Sequence, residues 1–305
     1  MKYFRILAMF AFVSLIAASF TACDEDSTSP IDNDPVLAAP SNLKAASADG
    51  AIFLTWTASI DENEDNFGSY SITILNKSTN ATLAPRTASK GITSARIDGL
   101  TNGVRYQFTI RSVTDQGKEG TTFATVEWSP AVRQNTDAGG LPIKVYAITS
   151  TTFNSAVDLY NAAGKAEVIP QAGQTFRDRG DLFVDAASTS SSLELTSPDE
   201  ANNQGMETQF SNATPVDVDN LDAQLASEPP TDASYTLKKL TIQTGSAATG
   251  RVYWGRIVRG TDKYYFRLLV KKGSNGSLIQ GSGVDRFLEM AVSFQNAPNN
   301  PFAKH

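Results

Sequence analysis

The chain of 305 residues holds one cysteine, Cys23, and one histidine, His305, which is its last residue. A single thiol can be acylated or act as a nucleophile, but it builds neither a disulfide nor a cysteine-rich zinc centre. Without an internal histidine, Ser-His-Asp catalysis, histidine zinc sites and two-histidine haem ligation have no residues to rest on. What remains is carboxylate, hydroxyl and lysine chemistry, with Met206 and Met290 as candidate axial ligands for a haem.

The remaining candidates are weighed by spacing. Asp178, Asp181 and Asp185 are close in sequence, but glycoside hydrolysis needs two carboxyls facing one cleft, so no catalytic residue is assigned. Arg179-Gly180-Asp181 is an integrin-type tripeptide of a length that recurs by chance. Asp61-Glu62-Asn63-Glu64-Asp65-Asn66 alternates oxygen ligands as a calcium loop does. Its sixth position lacks glycine and its twelfth, Ile72, lacks a carboxylate, which makes it an acidic loop between strands. The densest aromatic group is Tyr253, Trp254, Tyr264, Tyr265 and Phe266, with Arg251, Arg256 and Arg267 interleaved. On an open sheet face such rings stack on a sugar or another flat ligand, and arginines pair with an anion. Tyr253, Trp254, Tyr265, Arg256 and Arg267 are therefore the candidate ligand-binding residues, with core packing and edge cover as the competing roles. No metal or cofactor site is assigned.

The elements that would position these groups begin with a leader. Lys2 and Arg5 precede an apolar run from Ile6 to Ala18, the layout of a secretory signal and short for a bilayer span. Phe20-Thr21-Ala22-Cys23 resembles the lipobox of bacterial lipoproteins, with Phe20 in place of the more usual Leu. The resemblance implies a signal peptide over 1–22, lipid on the Cys23 thiol, and a membrane-anchored chain in the bacterial envelope, at the outer membrane or cell surface. Acyl chains at about 0.8 kcal/mol per buried CH2 would hold it there. Asp24-Glu25-Asp26 resembles a surface-export signal of Bacteroidota-type lipoproteins, and an inner-membrane retention signal of enteric-type ones. A polar, acidic stalk without periodicity spans 23–37.

From Pro40 the pattern turns to period two. Ile52, Leu54 and Trp56 share one face, as do Tyr70, Ile72 and Ile74, with Asp49-Gly50 marking a hairpin. Short strands with regular turn signals over this stretch predict an antiparallel sandwich. Pro40-Ser41-Asn42-Leu43, Leu54-Thr55-Trp56, Gly68-Ser69-Tyr70 and Gly99–Tyr106 resemble a fibronectin type III domain, placed at 38–136. The resemblance implies that Trp56 is the buried strand-B tryptophan and that Leu100 and Tyr106 form a tyrosine corner. It also implies a spacer or generic binding role.

A polar linker, Asn135–Gly140, leads into a second β-rich region over 141–305. Strands are expected at Ile143–Ile148, Ala156–Tyr160, Lys165–Ile169, Leu182–Asp185 and Leu193–Leu195. More follow at Tyr235–Gln243, Arg251–Val258, Tyr264–Lys271 and Phe287–Gln295. A helical signal falls at Asn220–Leu225. The pair Arg251–Val258 and Tyr264–Lys271 forms a hairpin closed through Arg259-Gly260-Thr261-Asp262.

The expected class is all-β: an immunoglobulin-like sandwich followed by a second antiparallel β domain. The net charge of −6 argues against a nucleic-acid partner. The first expectation for function is a non-enzymatic, membrane-anchored binding or scaffolding protein whose partner is a glycan or an envelope or extracellular protein. A haem-type capture protein and a carbohydrate-active enzyme are the alternatives.

Overall fold

A computed structural model of the chain describes residues 36–186, 191–201, 206–221 and 230–304. The signal stretch, Cys23, nearly all of the acidic stalk and residues 222–225 of the expected helix lie outside them. The described chain from Val36 onward is one compact unit.

Seven strands build the first sandwich: β1 (Ser41–Ala48), β2 (Ala51–Thr57), β3 (Phe67–Asn76), β4 (Thr82–Ser89), β5 (Ser94–Asp98), β6 (Tyr106–Thr114) and β7 (Ala124–Trp128). They form two antiparallel sheets, β1-β2-β5 and β4-β3-β6-β7. The period-two faces meet between them, with Ile52, Leu54 and Trp56 against Tyr70, Ile72, Ile74, Phe108 and Ile110. Gly50 takes φ 61° in the β1–β2 turn, a left-handed conformation that glycine adopts without cost. Trp56 meets the Tyr70 ring edge-on at 5.6 Å. The Tyr106 phenol accepts the Thr101 N–H at 3.1 Å, tying the crossover between sheets to β6 beside buried Leu100. Burial pushes the Tyr70 phenol up to about 12, and the carboxylate of Glu62 that it donates to acts in the same direction. In the acidic loop, Asp61 accepts the Ala38 N–H and Glu62 the Gly91 N–H.

The second sandwich stacks a five-stranded sheet on a nine-stranded one, both antiparallel. Its elements are β8 (Val132–Gln134), β9 (Ile143–Tyr146), β10 (Ala156–Asp158), β11 (Glu167–Ile169), helix α1 (Gly173–Arg179), β12 (Leu182–Ala186), β13 (Ser192–Thr196), β14 (Glu207–Ser211) and β15 (Val216–Asp217). They continue with β16 (Tyr235–Leu237), β17 (Lys239–Gln243), β18 (Arg251–Arg259), β19 (Asp262–Val270), β20 (Ile279–Gln280) and β21 (Phe287–Phe294). The smaller sheet runs β11-β10-β12-β13-β17, while the larger is centred on β14-β18-β19-β21. Between the sheets Val157, Val184, Leu193 and Leu195 meet Phe210, Ile257, Phe266, Leu268, Met290 and Phe294. Phe266 lies flat over Gly255, where a Cβ would stand 2.2 Å from the ring.

The expected hairpin forms, with Arg259 opposite Asp262 and Gly260 at φ 64°. The expected strand Tyr235–Gln243 is interrupted: β16 pairs with β14 in the large sheet and β17 with β13 in the small one. The chain changes sheet at Lys238, whose ammonium is held by Asp199.

The strand β8, within the stretch first given to 38–136, pairs with β21 of the second sandwich. The two sandwiches are stitched at this point. Arg133 on β8 donates to the carbonyls of Ser47 on β1 and Leu221 beyond β15. The C-terminal turn returns to the first sandwich, where Phe302 packs on Trp128 at 5.0 Å and Ser47 donates to the Phe302 carbonyl. Gln295 and Asn300 add bonds to Pro130 and Gly103.

Candidate functional site

The aromatic hairpin is laid out with the alternation read from its sequence, but both of its faces are covered. Tyr253 points into the main core beside Phe266 and Leu268. Trp254 and Tyr265 point the other way, into a smaller buried cluster with Tyr235, Leu221 and Ala131. Arg256 lies over the Tyr235 ring and bonds Gln209 at 2.7 Å. Arg267 is fully buried and donates to the Leu221 carbonyl at 3.1 Å. All five predicted ligand-binding side chains are therefore buried, Tyr253 between the two sheets and Trp254, Tyr265, Arg256 and Arg267 on the other side of the large sheet beside Leu221 and Tyr235. Cys23 lies outside the described residues. Met290 is a core residue, and Met206 packs at the core margin.

The carboxylates of the 178–185 stretch do not converge on one cleft. Asp178 is exposed and bonds Gln174, whereas Asp181 has no solvent contact, so the tripeptide it ends is not presented. Asp181 instead sits beside Asp158. It accepts the Leu159 N–H at 2.8 Å and an Arg259 N–H at 3.0 Å. Arg179 reaches Asp158 at 3.4 Å and Glu167 at 2.7 Å. Burial pushes the Asp181 carboxyl up to about 7 against the pull of Arg259, and the Asp158 charge adds to the rise. Burial also raises Asp158, while the hydrogen bond from Asn161 leads the factors that lower Glu167. With its two aspartates buried and its arginines at the surface, this network ties β10, α1 and the β18–β19 hairpin together.

An exposed aromatic surface lies at β9 and the loop that follows it. Tyr146 at the end of β9 stacks on Phe153 with centroids 4.2 Å apart and planes 18° apart. Phe287 at the start of β21, the ladder partner of Tyr146, packs on it at 4.9 Å. Phe153 stays 46% exposed, with Leu141 at 65% and Ile148 at 41% nearby in the chain. The loop that carries Phe153 is pinned at its base. Ser150 donates to Asp285 and accepts the Phe153 N–H, Asn154 donates to the Val168 carbonyl, and Ile148 N–H bonds the Val184 carbonyl. An aromatic ring held out on so many local bonds loses little entropy when a ligand covers it.

Two hollows share Phe153 and Asn154 as a common wall. The larger, about 390 Å³, falls within the range of small-molecule sites and has Leu141, Pro142, Tyr146 and Val168 as apolar lining. Asp137 and Lys144 are its charged members. The Lys144 ammonium hangs 5.2 Å over the Phe287 ring, and Glu289 opposite it on β21 is taken by Lys271 at 3.3 Å. Asp137 fixes the turn before β9, its Oδ1 accepting the N–H groups of Gly139 and Leu141. The smaller hollow, about 190 Å³, is lined by Ile148, Ser150, Ser155, Pro170, Gln171 and Ala172, with no charged side chain. A further cavity of about 400 Å³, bordered by Thr244, Asn275 and Arg286, has no aromatic lining. Burial and the Asp285 charge raise the Tyr146 phenol.

Sequence reasoning passed over Phe153. The available signal was a lone aromatic in the run Ser150-Thr151-Thr152-Phe153-Asn154-Ser155, where nothing in the local periodicity requires a large ring.

Comparison with known proteins addresses the first sandwich. Residues 38–128 match the family model of the fibronectin type III domain. The FN5 domain of Drosophila Lar is similar at 17% identity, covering 32% of this chain and 100% of that one with a TM-score of 0.24. The FN3 domain of human collagen XX is similar at 17% identity, over 30% of this chain and 96% of that one, with a TM-score of 0.25. The spore cortex lytic enzyme SleM of Clostridium perfringens is 20% identical over 30% of this chain and 28% of its own, with a TM-score of 0.25. No curated protein matches the chain. The buried Trp56 and the Tyr106 corner sit inside the matched span, and the chain thus carries a fibronectin type III domain over residues 38–128.

Proposed function

We propose that this is a lipid-anchored envelope protein whose fibronectin type III domain is a rigid spacer for a non-enzymatic binding module, with the groove at Phe153 as the binding site. One observation carries the reading: the braced, half-exposed Phe153 ring and its groove belong to the second sandwich, which follows the fibronectin type III domain in chain order. Chain entry is at Leu37 and Ala38, beside Asp61 and Thr122. Strand β1 then runs to Ser47 and Ala48 at the junction, about 23 Å at 3.3 Å per residue. Within the second sandwich, β21 runs from Phe287, opposite Tyr146, to Phe294, opposite Val132, a span of about 23 Å. A lipid on Cys23 would tether the chain on the N-terminal side of the fibronectin type III domain, with the Phe153 groove on its C-terminal side in sequence.

The partner class is a glycan or an envelope or extracellular protein, and the acidic net charge disfavours nucleic acid. The test of anchoring is detergent phase partitioning of the full chain expressed in a bacterium that processes lipoproteins. Wild type should enter the detergent phase and Cys23→Ser the aqueous phase. Equal partitioning of the two would end the lipid-anchor reading.

A further inference from the structure

We propose that the groove takes a neutral, linear polysaccharide, threaded across Phe153 with one sugar ring in each of the two hollows. The inference deepens the binding reading above and rests on it only for the identity of the site.

The ligand must match three features. The first is the open aromatic wall: Phe153 is backed by Tyr146 at 4.2 Å and Tyr146 by Phe287, so the ring is braced and nearly half of it remains exposed. A pyranose has an apolar face of C–H groups that lies flat on such a ring while its hydroxyls point to the rim. The second is the shared wall. Phe153 and Asn154 border both hollows, so a ligand covering the ring extends naturally into each side. A chain of linked rings does this, whereas a compact ligand would fill only the larger hollow.

The third feature is charge. The larger hollow has one anion, Asp137, and one cation, Lys144, and the smaller has no charged lining at all. An acidic polymer would bring a repeating carboxylate past Asp137 and into a hollow with nothing to pair it, at a desolvation cost. A neutral polyol instead finds acceptors and donors at the rims in Asp137, Lys144 and Gln171. The arginine-bordered cavity at Arg286 offers an anion no aromatic platform, which makes it a poorer fit for a sugar chain.

The test is binding of the full-length chain in detergent to neutral hexaoses (β-1,3-glucan, β-1,4-glucan and α-mannan) and to two acidic polymers, polygalacturonate and alginate. Titration calorimetry at low and high salt would be paired with thermal melts of every variant. The expected result is affinity for at least one neutral glycan, insensitive to salt and about tenfold weaker in Phe153→Ala, whose melting temperature is unchanged. Lys144→Gln should weaken the same glycan by a smaller factor. Binding only to the acidic polymers, lost at high salt, would overturn the neutral class while leaving a binding module at this groove. A neutral glycan held equally well by Phe153→Ala would overturn the site. Retention of none of the five would overturn the glycan assignment, and the partitioning of Cys23→Ser would still decide the anchor separately.

Discussion

Arg259, the last residue of β18, donates at 3.0 Å to the carboxylate of Asp181, the residue that leads into β12 on the opposing sheet. The pair joins the two layers of the second sandwich across its rim, with Asp181 inaccessible to solvent and the Arg259 side chain one-third exposed. The asymmetry sets the cost of breaking it. Arg259→Ala would strand a buried carboxylate and should destabilise the protein by about 3 kcal/mol, the low end for buried pairs, because water already reaches the arginine. Asp181→Asn keeps an acceptor for the Leu159 N–H and frees Arg259 to turn to solvent, so its cost should be smaller. Urea denaturation of the two variants at pH 8 checks the order, and a costlier Asp181→Asn would contradict it.

The same carboxylate makes stability depend on pH. Asp181 titrates near 7 in the folded protein and near the ordinary 3.8 when unfolded, so its folded pKa is raised. Its contribution is fully present below the unfolded value and is lost as pH rises through about 7. Asp158, raised by burial, acts in the same sense. The melting temperature should therefore climb as pH falls from 8 to 5, and the slope should flatten in Asp181→Asn. An identical slope in that variant would assign the effect to other groups.

The junction predicts cooperativity. Arg133 bonds Ser47 in the first sandwich and Leu221 in the second, and Phe302 packs on Trp128 across the same seam. Wild type should melt in one calorimetric transition despite having two cores. Arg133→Ala combined with Phe302→Ala should separate the unfolding of the fibronectin type III domain from that of the second sandwich. A single transition in the double variant would show that β8 pairing and the bonds of Gln295, Asn300 and Ser47 are enough to couple them.

Burial separates the two aromatic groups experimentally. Trp254→Ala removes a buried indole and should cost about 3–5 kcal/mol, whereas Phe153→Ala at the exposed loop should stay within about 0.5 kcal/mol of wild type. The contrast also marks what the sequence could say. Period two places Tyr264, Phe266 and Leu268 of β19 together and Tyr265, Arg267 and Leu269 opposite, as they stand in the fold. Alternation tells which residues share a side, not what lies on top of it. Leu221, Tyr235 and Ala131 pack on that side from positions distant in sequence, which local periodicity does not place, so an aromatic side that reads as open is in fact buried. The sheet change at Lys238 was hidden for a similar reason. Tyr235–Gln243 is a continuous strand-like run, and only the partners β14 and β13, both distant in sequence, divide it. The fibronectin type III fold was legible because its landmarks, Trp56 and Tyr106, are local motifs with fixed roles. Phe153 was not, since its exposure depends on how β9, β11 and β21 meet.

The closest approach in the second core supplies the last prediction. Gly255 on β18 faces Phe266 on β19 directly, and the ring occupies the space a Cβ would need, 2.2 Å away at its nearest atom. Gly255→Ala must push a fully buried ring off its rotamer or spread the central hairpin, at a cost of about 1–3 kcal/mol from overpacking. Phe266→Leu alone should also destabilise, by loss of buried area and of the edge contact with Phe210 at 6.3 Å. The two changes are in contact and should not add: the smaller side chain vacates the position over Gly255, so the double variant should be more stable than the sum of the singles implies. Equilibrium unfolding of all four proteins gives the coupling energy directly. Simple additivity would mean that the added methyl is accommodated by backbone movement and that Phe266 is not what requires glycine at 255.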